Sequence, residues 1–156
     1  MHITIVAVGK KEPEWINQGV REYTKRLSGD VKVNLIEVTA AKRRKTGSID
    51  TVLQKEARNI MDAIPRGSPY FAMDEHGTQL STVNLAGRLE QWIREGLSPC
   101  LVIGGADGLH KSVKSGATES WSLSRLTLPH GLARMLLAEQ IYRAWTILKK
   151  HPYHRK

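Results

Sequence analysis

The chain has 156 residues, with 24 Lys and Arg against 15 Asp and Glu for a net charge of +9, 40% hydrophobic residues and a mean hydropathy of −0.36. This length suits one domain over residues 1–156 whose core needs neither metal nor disulfide, and the composition excludes general disorder. The single cysteine, Cys100, excludes an intramolecular disulfide framework and a clustered cysteine zinc site, and no apolar stretch approaches the roughly 18 to 20 residues of a membrane span.

Residues 2–9 are rich in β-branched side chains and end in Gly9, which predicts a buried first strand leaving the core at its C-terminal end. From Glu12 to Leu27, with Pro13 tolerated in the first turn, Trp15, Ile16, Val20, Tyr23 and Leu27 recur at helical spacing. A period near two returns over Lys32 to Thr39 and predicts a second strand. Ile49, Val52, Leu53, Ile60, Met61 and Ile64 restore a helical stripe that Pro65 and Gly67 break. Pro69 to Asp74 reads as a short strand, and Ser81 or Thr82 caps a helix presenting Leu85, Leu89, Trp92 and Ile93. Pro99 to Ile103 is the strongest buried strand, ended by Gly104 and Gly105. A helix over Lys111 to Ser120, a short segment from Ser122 to Leu128 and a helix from Leu132 to about Lys149 complete the chain. Helices alternating with four or five strands predict an α/β fold, a mostly parallel sheet with helices on both faces.

Three stretches read as loops: Lys42 to Gly47, Asp74-Glu75-His76-Gly77, and Gly104-Gly105-Ala106-Asp107-Gly108. The last two follow proposed strands, where open α/β sheets place ligands. The glycine loop permits close backbone approach to a ligand but equally makes a tight turn. It is neither GxGxxG nor GxxxxGK[ST], which disfavours a dinucleotide oxidoreductase or a nucleotide triphosphatase. Asp74 and Glu75 suit a polar ligand or a solvated acidic turn.

Charge is uneven, +4 over residues 1–50, −1 over 51–100 and +6 over 101–156. The run Lys42 to Lys45 suits phosphate contacts or an exposed solubility loop, and the ending His151-Pro152-Tyr153-His154-Arg155-Lys156 suits RNA or a frayed tail. No histidine or cysteine spacing predicts a metal site, and Cys100 reads as packing. Trp92, Trp121, Tyr142 and Trp145 read as core or interface. The opening segment is the reverse of a secretory leader, so cytoplasmic residence is expected.

The ordered fragments Val6-Ala7-Val8-Gly9-Lys10, Ile103-Gly104-Gly105, Ser120-Trp121-Ser122-Leu123-Ser124, Leu126-Thr127-Leu128-Pro129-His130, Tyr142-Arg143-Ala144-Trp145 and His151-Pro152-Tyr153-His154-Arg155 span essentially the whole chain. Together they resemble the ribosomal RNA large subunit methyltransferase H family, minimal members of the SPOUT methyltransferases. The resemblance implies an enzyme that moves a methyl group from S-adenosylmethionine to N3 of a pseudouridine in helix 69 of large-subunit ribosomal RNA, preferably in the assembled ribosome. It also implies a homodimer and a C-terminal trefoil knot, which connection rules alone would exclude. Implied around the methyl donor are Met73, Gly104, Leu123, Ser124, Arg125, Leu126, Thr127 and Leu128. Tyr153, His154 and Arg155 match the family's functional tail, with His154 a base or a substrate-positioning group. No membrane and no DNA are implied. Local departures from the family are Ala106-Asp107 in the glycine loop and Gly131-Leu132-Ala133 after the Pro129-His130 pair. A noncatalytic basic RNA-binding or ribosome-associated protein is the alternative, with a small-molecule methyltransferase third. Donor binding and methyl transfer separate these readings.

Overall fold

The sheet grows outward from the most apolar strand. In the computed structural model, which describes residues 1–155, β1 (His2–Val8) is buried from Ile3 onward because both its faces are covered. It pairs with β2 (Lys32–Val38) on one side and β4 (Cys100–Ile103) on the other. β3 (Tyr70–Gln79) joins β4, and β5 (Glu119–Ser122) joins β3. The order is β2-β1-β4-β3-β5 and all four ladders are parallel.

Alternation along β1 sends Ile3, Ile5 and Ala7 into one core and Val6 and Val8 into the other. The first core is covered by α1 (Glu14–Thr24), α3 (Thr82–Glu95) and α5 (His130–Leu148), with α5 packed against both of the others. The second is covered by α2 (Ile49–Ala63) and α4 (Lys111–Gly116) through Ala57, Ile60 and Val113. This is the expected α/β architecture with helices on both faces. No helix among the described residues is long and apolar enough to cross a membrane.

Two elements differ from expectation. β3 does not stop at Asp74: Phe71–Met73 pair with Glu119–Trp121, and Thr78–Gln79 resume against Trp121–Ser122, so Asp74–Gly77 form a bulge within the strand rather than a loop after it. A Cβ on Gly77 would lie 2.7 Å from the backbone of Ser120 and Trp121, so only glycine lets β5 close here. The helix expected to run to Ser120 ends at Gly116, because Glu119–Ser122 are pulled onto β3. Trp121 stacks on Phe71 at 4.4 Å between ring centroids, with Trp92 6.0 Å away, and its indole N–H donates to Glu119 at 2.8 Å.

Cys100 is fully buried and its thiol is pushed up to about 12 by desolvation, as a packing residue should be. Tyr142 and Trp145 are buried and mutually stacked. After α5 the chain reverses. The His151 N–H reaches the Thr146 carbonyl at 2.9 Å and the Lys150 N–H that of Ile147 at 3.2 Å, with Lys150 at φ 54°, a Schellman ending built on a lysine. A 3-10 turn at Pro152–His154 then lies back on α5, where the Tyr153 hydroxyl donates to Glu139 at 3.0 Å and the ring sits 4.7 Å from that of Tyr142.

Candidate active site

A cavity of about 770 Å³ opens at the β3 bulge and the C-terminal end of β4, within the range of small-molecule sites. Three segments wall it: Met73–His76 at the β3 bulge, Ile103–Leu109 after β4, and Leu123 to His130 between β5 and α5, Arg125 excepted.

Each wall is held by its own local chemistry. β4 is apolar until Ile103, and the chain then folds on itself: the Gly108 N–H donates to the Gly105 carbonyl at 3.1 Å, with Gly108 at φ 77°. A Cβ on Gly104 would stand 2.5 Å from the Gly108 carbonyl oxygen, so that turn closes only on glycine. In the third wall the Ser122 hydroxyl donates to the Ser124 carbonyl at 2.9 Å, and the Ser124 hydroxyl accepts from the Leu126 N–H at 2.9 Å. These are serine turns that fix an otherwise irregular segment. Thr127 donates to Glu75 at 3.3 Å and joins the first wall to the third.

Met73, Ile103, Leu109, Leu123, Leu126 and Leu128 supply apolar surface, while the loops supply backbone donors and acceptors. Asp74 and Glu75 add carboxylates, the former 3.6 Å from Lys114 Nζ. The arrangement suits a ligand with an apolar body and polar edges. Among the described residues no group of three or more His, Cys, Asp or Glu is placed to hold a metal ion.

The structure gathers Met73, Gly104, Leu123, Ser124, Leu126, Thr127 and Leu128 around this cavity. Arg125 is separate: it is exposed and its Nε donates to Gln79 at 3.1 Å. Tyr153, His154 and Arg155 do not line the cavity of their own chain. Burial and the Glu139 hydrogen bond push the Tyr153 phenol up to about 12, so it remains a donor at neutral pH. His154 has a buried Nδ1 without a partner, and Arg155 is exposed. Lys42 to Lys45 are all exposed, and Arg43 pairs with Asp107 at the rim of the glycine loop.

Pattern reading missed Glu12 and Arg134, and left His130 unassigned. His130 lines the cavity and meets Glu12 at 3.0 Å. The available signal for Arg134 was a charge inside the apolar run Leu132 to Ala138.

A family model described as "Predicted SPOUT methyltransferase" matches residues 1–154. Curated relatives include proteins called "Ribosomal RNA large subunit methyltransferase H" from Thiobacillus denitrificans, 50% identical over 99% of both chains, and from Coxiella burnetii, 46% identical over 99% of this chain and 100% of the relative. Among solved structures, one described by the 2-OH methylation of C/U34 on tRNA superposes with a TM-score of 0.52 at 16% identity, covering 93% of this chain and 91% of its own. A methylase family protein from Neisseria gonorrhoeae gives 0.54 at 15% identity over 90% and 81%. The two structural likenesses speak for the fold.

Proposed function

Since the chain belongs to the SPOUT methyltransferases and, within them, to the ribosomal RNA large subunit methyltransferase H family, we propose that it methylates N3 of a pseudouridine in helix 69 of large-subunit ribosomal RNA, preferably in the assembled ribosome. The observation that carries the reading is the three-walled cavity, in which seven of the eight donor-binding positions implied by the family resemblance converge.

S-adenosylmethionine, when bound, supplies a methyl group made electrophilic by its sulfonium. The residues present fit it. Leu123, Leu126 and Leu128 offer surface for an adenine ring, the backbone of 104–108 and 123–128 offers partners for its polar edges, and Asp74 and Glu75 offer negative charge for a cationic ligand. Removing water from this space and holding the reacting groups in line accounts for much of the rate.

The substrate nitrogen must lose its proton to become a nucleophile. His154 is assigned as the acceptor or as the group that orients the base, Arg155 as a phosphate contact and Tyr153 as a hydrogen-bonding anchor. These side chains serve the cavity of a second copy in a homodimer. Support comes from the tail's own docking: Tyr153 is held at Glu139, six residues along α5 from Ala133, the nearest wall residue on that helix, a rise of roughly 9 Å along the helix axis. Trp15 on α1, 57% exposed, and the half-buried Leu132, Met135 and Leu136 on α5 offer apolar surface for a partner. The knot is carried over from the family, residues 1–156 act as one methyltransferase domain, and the enzyme works in the cytoplasm. The exposed Lys42 to Lys45 run contacts phosphates.

The test is methyl transfer to assembled ribosomes, separated large subunits and free ribosomal RNA, with the modified nucleotide mapped. The expected product is N3-methylpseudouridine in helix 69, made most rapidly on assembled ribosomes. RNA binding without donor binding or methyl transfer would overturn the enzyme reading in favour of a noncatalytic RNA-binding protein.

A further inference from the structure

A buried charge cluster that the proposed reaction does not use lies where β1 leaves the sheet. Arg134, in the second turn of α5, is 1% exposed. Its Nη1 donates to Glu37 at 2.8 Å, and its Nη2 donates to the carbonyls of Val8 at 2.9 Å and Gly9 at 2.8 Å. Glu12 lies 3.7 Å from the same Nη2 and 3.0 Å from His130 Nε2. One guanidinium thus joins the end of β1, the loop leading to α1, β2 and the start of α5.

Burying such a group is costly unless its donors are met, and Nε of Arg134 is buried without a partner, so this ion bridge contributes little net stability compared with apolar packing. Its geometric consequence is larger. Ala133 and His130, in the first turn of α5, line the cavity, and the segment before them is its third wall. Whatever fixes the first turn of α5 fixes that wall relative to the glycine loop after β4. Gly131 belongs to the same arrangement, since a Cβ there would overlap Glu12 Oε2. The missing side chain makes room for the carboxylate.

We infer that Arg134 and Glu12 are positioning residues for the methyl-donor pocket, mooring the first turn of α5 to the exit of β1 and holding His130 on the pocket wall. The inference rests on the cavity being the donor site proposed above.

Gly131→Ala and Arg134→Lys test it in the full-length protein, using thermal melting, calorimetric titration with S-adenosylhomocysteine, steady-state kinetics on ribosomes and the ¹⁵N resonances of the His130 ring. Gly131→Ala displaces the end of the Glu12 side chain while placing a better helix former in α5, so it should remain folded, which the melt checks. Its affinity for S-adenosylhomocysteine should fall at least fivefold, the KM for S-adenosylmethionine should rise in step, kcat should change less, and the His130 resonances should shift. Arg134→Lys keeps the charge but not the fork that spans Glu37 and two carbonyls, and should lose at least tenfold in the same affinity. If that variant does not fold, Gly131→Ala decides alone. A folded Gly131→Ala protein with affinity within twofold of the parent and unshifted His130 resonances would overturn the inference. A parent chain that fails to bind S-adenosylhomocysteine would instead overturn the donor-site assignment, and with it the positioning role.

Discussion

Gly104→Ala tests the glycine loop by sterics. The added Cβ would stand 2.5 Å from the Gly108 carbonyl oxygen, 2.6 Å from its carbon and 3.1 Å from Leu109 Cγ. The two nearest atoms are backbone, so ordinary contact at 3.4 Å or more is regained only by opening the loop, and the Gly108 to Gly105 hydrogen bond at 3.1 Å opens with it. The broken hydrogen bond is worth about 0.5–1.5 kcal/mol and the overpacking about 1–3 kcal/mol. Together these lower the melting temperature by roughly 3–18 °C for a chain of this size. A wall displaced by about 1 Å should also weaken donor binding by about tenfold, close to 1.4 kcal/mol. Gly105→Ala is the control. Its Cβ would meet Val8 Cγ1 at 3.1 Å and Glu56 Oε2 at 3.6 Å, with no backbone atom among its nearest neighbours, so its effects should be milder. Thermal melts and calorimetry with S-adenosylhomocysteine on both variants check this. A Gly104→Ala protein that melts and binds like the parent, or a Gly105→Ala protein that suffers more, would refute the steric argument.

Trp121→Ala should cost about 3–5 kcal/mol by leaving a cavity beside Phe71 and Trp92, read by urea unfolding. Lys150→Gly relieves a non-glycine residue at φ 54° and should be neutral to stabilising, by up to about 1 kcal/mol in the same assay; a clear loss would show that the lysine side chain contributes to the turn. Burial raises the Glu56 pKa in the folded state, so the native chain retains that proton to higher pH than the unfolded chain, and stability declines as pH rises through the folded value. Glu56→Gln keeps an acceptor for the Ala41 N–H and should match the parent near pH 4 but exceed it at pH 7; equal pH profiles would remove the burial argument. Replacing Lys42 and Lys45 with Ala should weaken ribosome binding and lower its slope against log salt by about 0.7–0.9 for each phosphate no longer neutralised, measured by filter binding from 50 to 200 mM salt.

What the sequence disclosed depended on whether one segment carried its own reason for its shape. Residues 2–8 and 100–103 are strands because their apolar character alone requires covering on both faces, and the helical stripes of α2 and α3 end at their own breakers. β5 has no such pattern. Glu119-Ser120-Trp121-Ser122 becomes a strand because Trp121 finds Phe71, 50 residues earlier, whereas a helix forecast to Ser120 from local propensity takes in its first two residues. Asp74-Glu75-His76-Gly77 has the composition of a loop, yet the sheet resumes beyond it because Gly77 leaves room for the backbone of β5. The site was least legible for a related reason. Its walls are largely backbone from three loops, so no spacing of side chains announces them, and the donor-binding positions entered through family resemblance. Glu12 and Arg134 meet across almost the whole chain, and only the charge inside an apolar helix marked one of them.

The two ends of α5 are constrained in opposite ways, and together they set the geometry of the assembly. At its start, Arg134 ties the helix to the carbonyls of Val8 and Gly9, so the pocket wall is fixed relative to the sheet. At its end, the reversal at Lys150 lays the tail back only as far as Glu139, where the Tyr153 hydroxyl is engaged and its ring is packed between Tyr142 and the Arg143 guanidinium. The helix therefore holds Tyr153 at Glu139, away from the residues that line its own pocket. On the proposed reading, a complete site needs the pocket of one copy and the tail of another. Dilution below the dimer dissociation constant should then abolish methyl transfer while leaving a folded monomer with an intact donor pocket. Activity that stays proportional to protein concentration into the monomeric range would show instead that one chain can bring its tail to its own pocket.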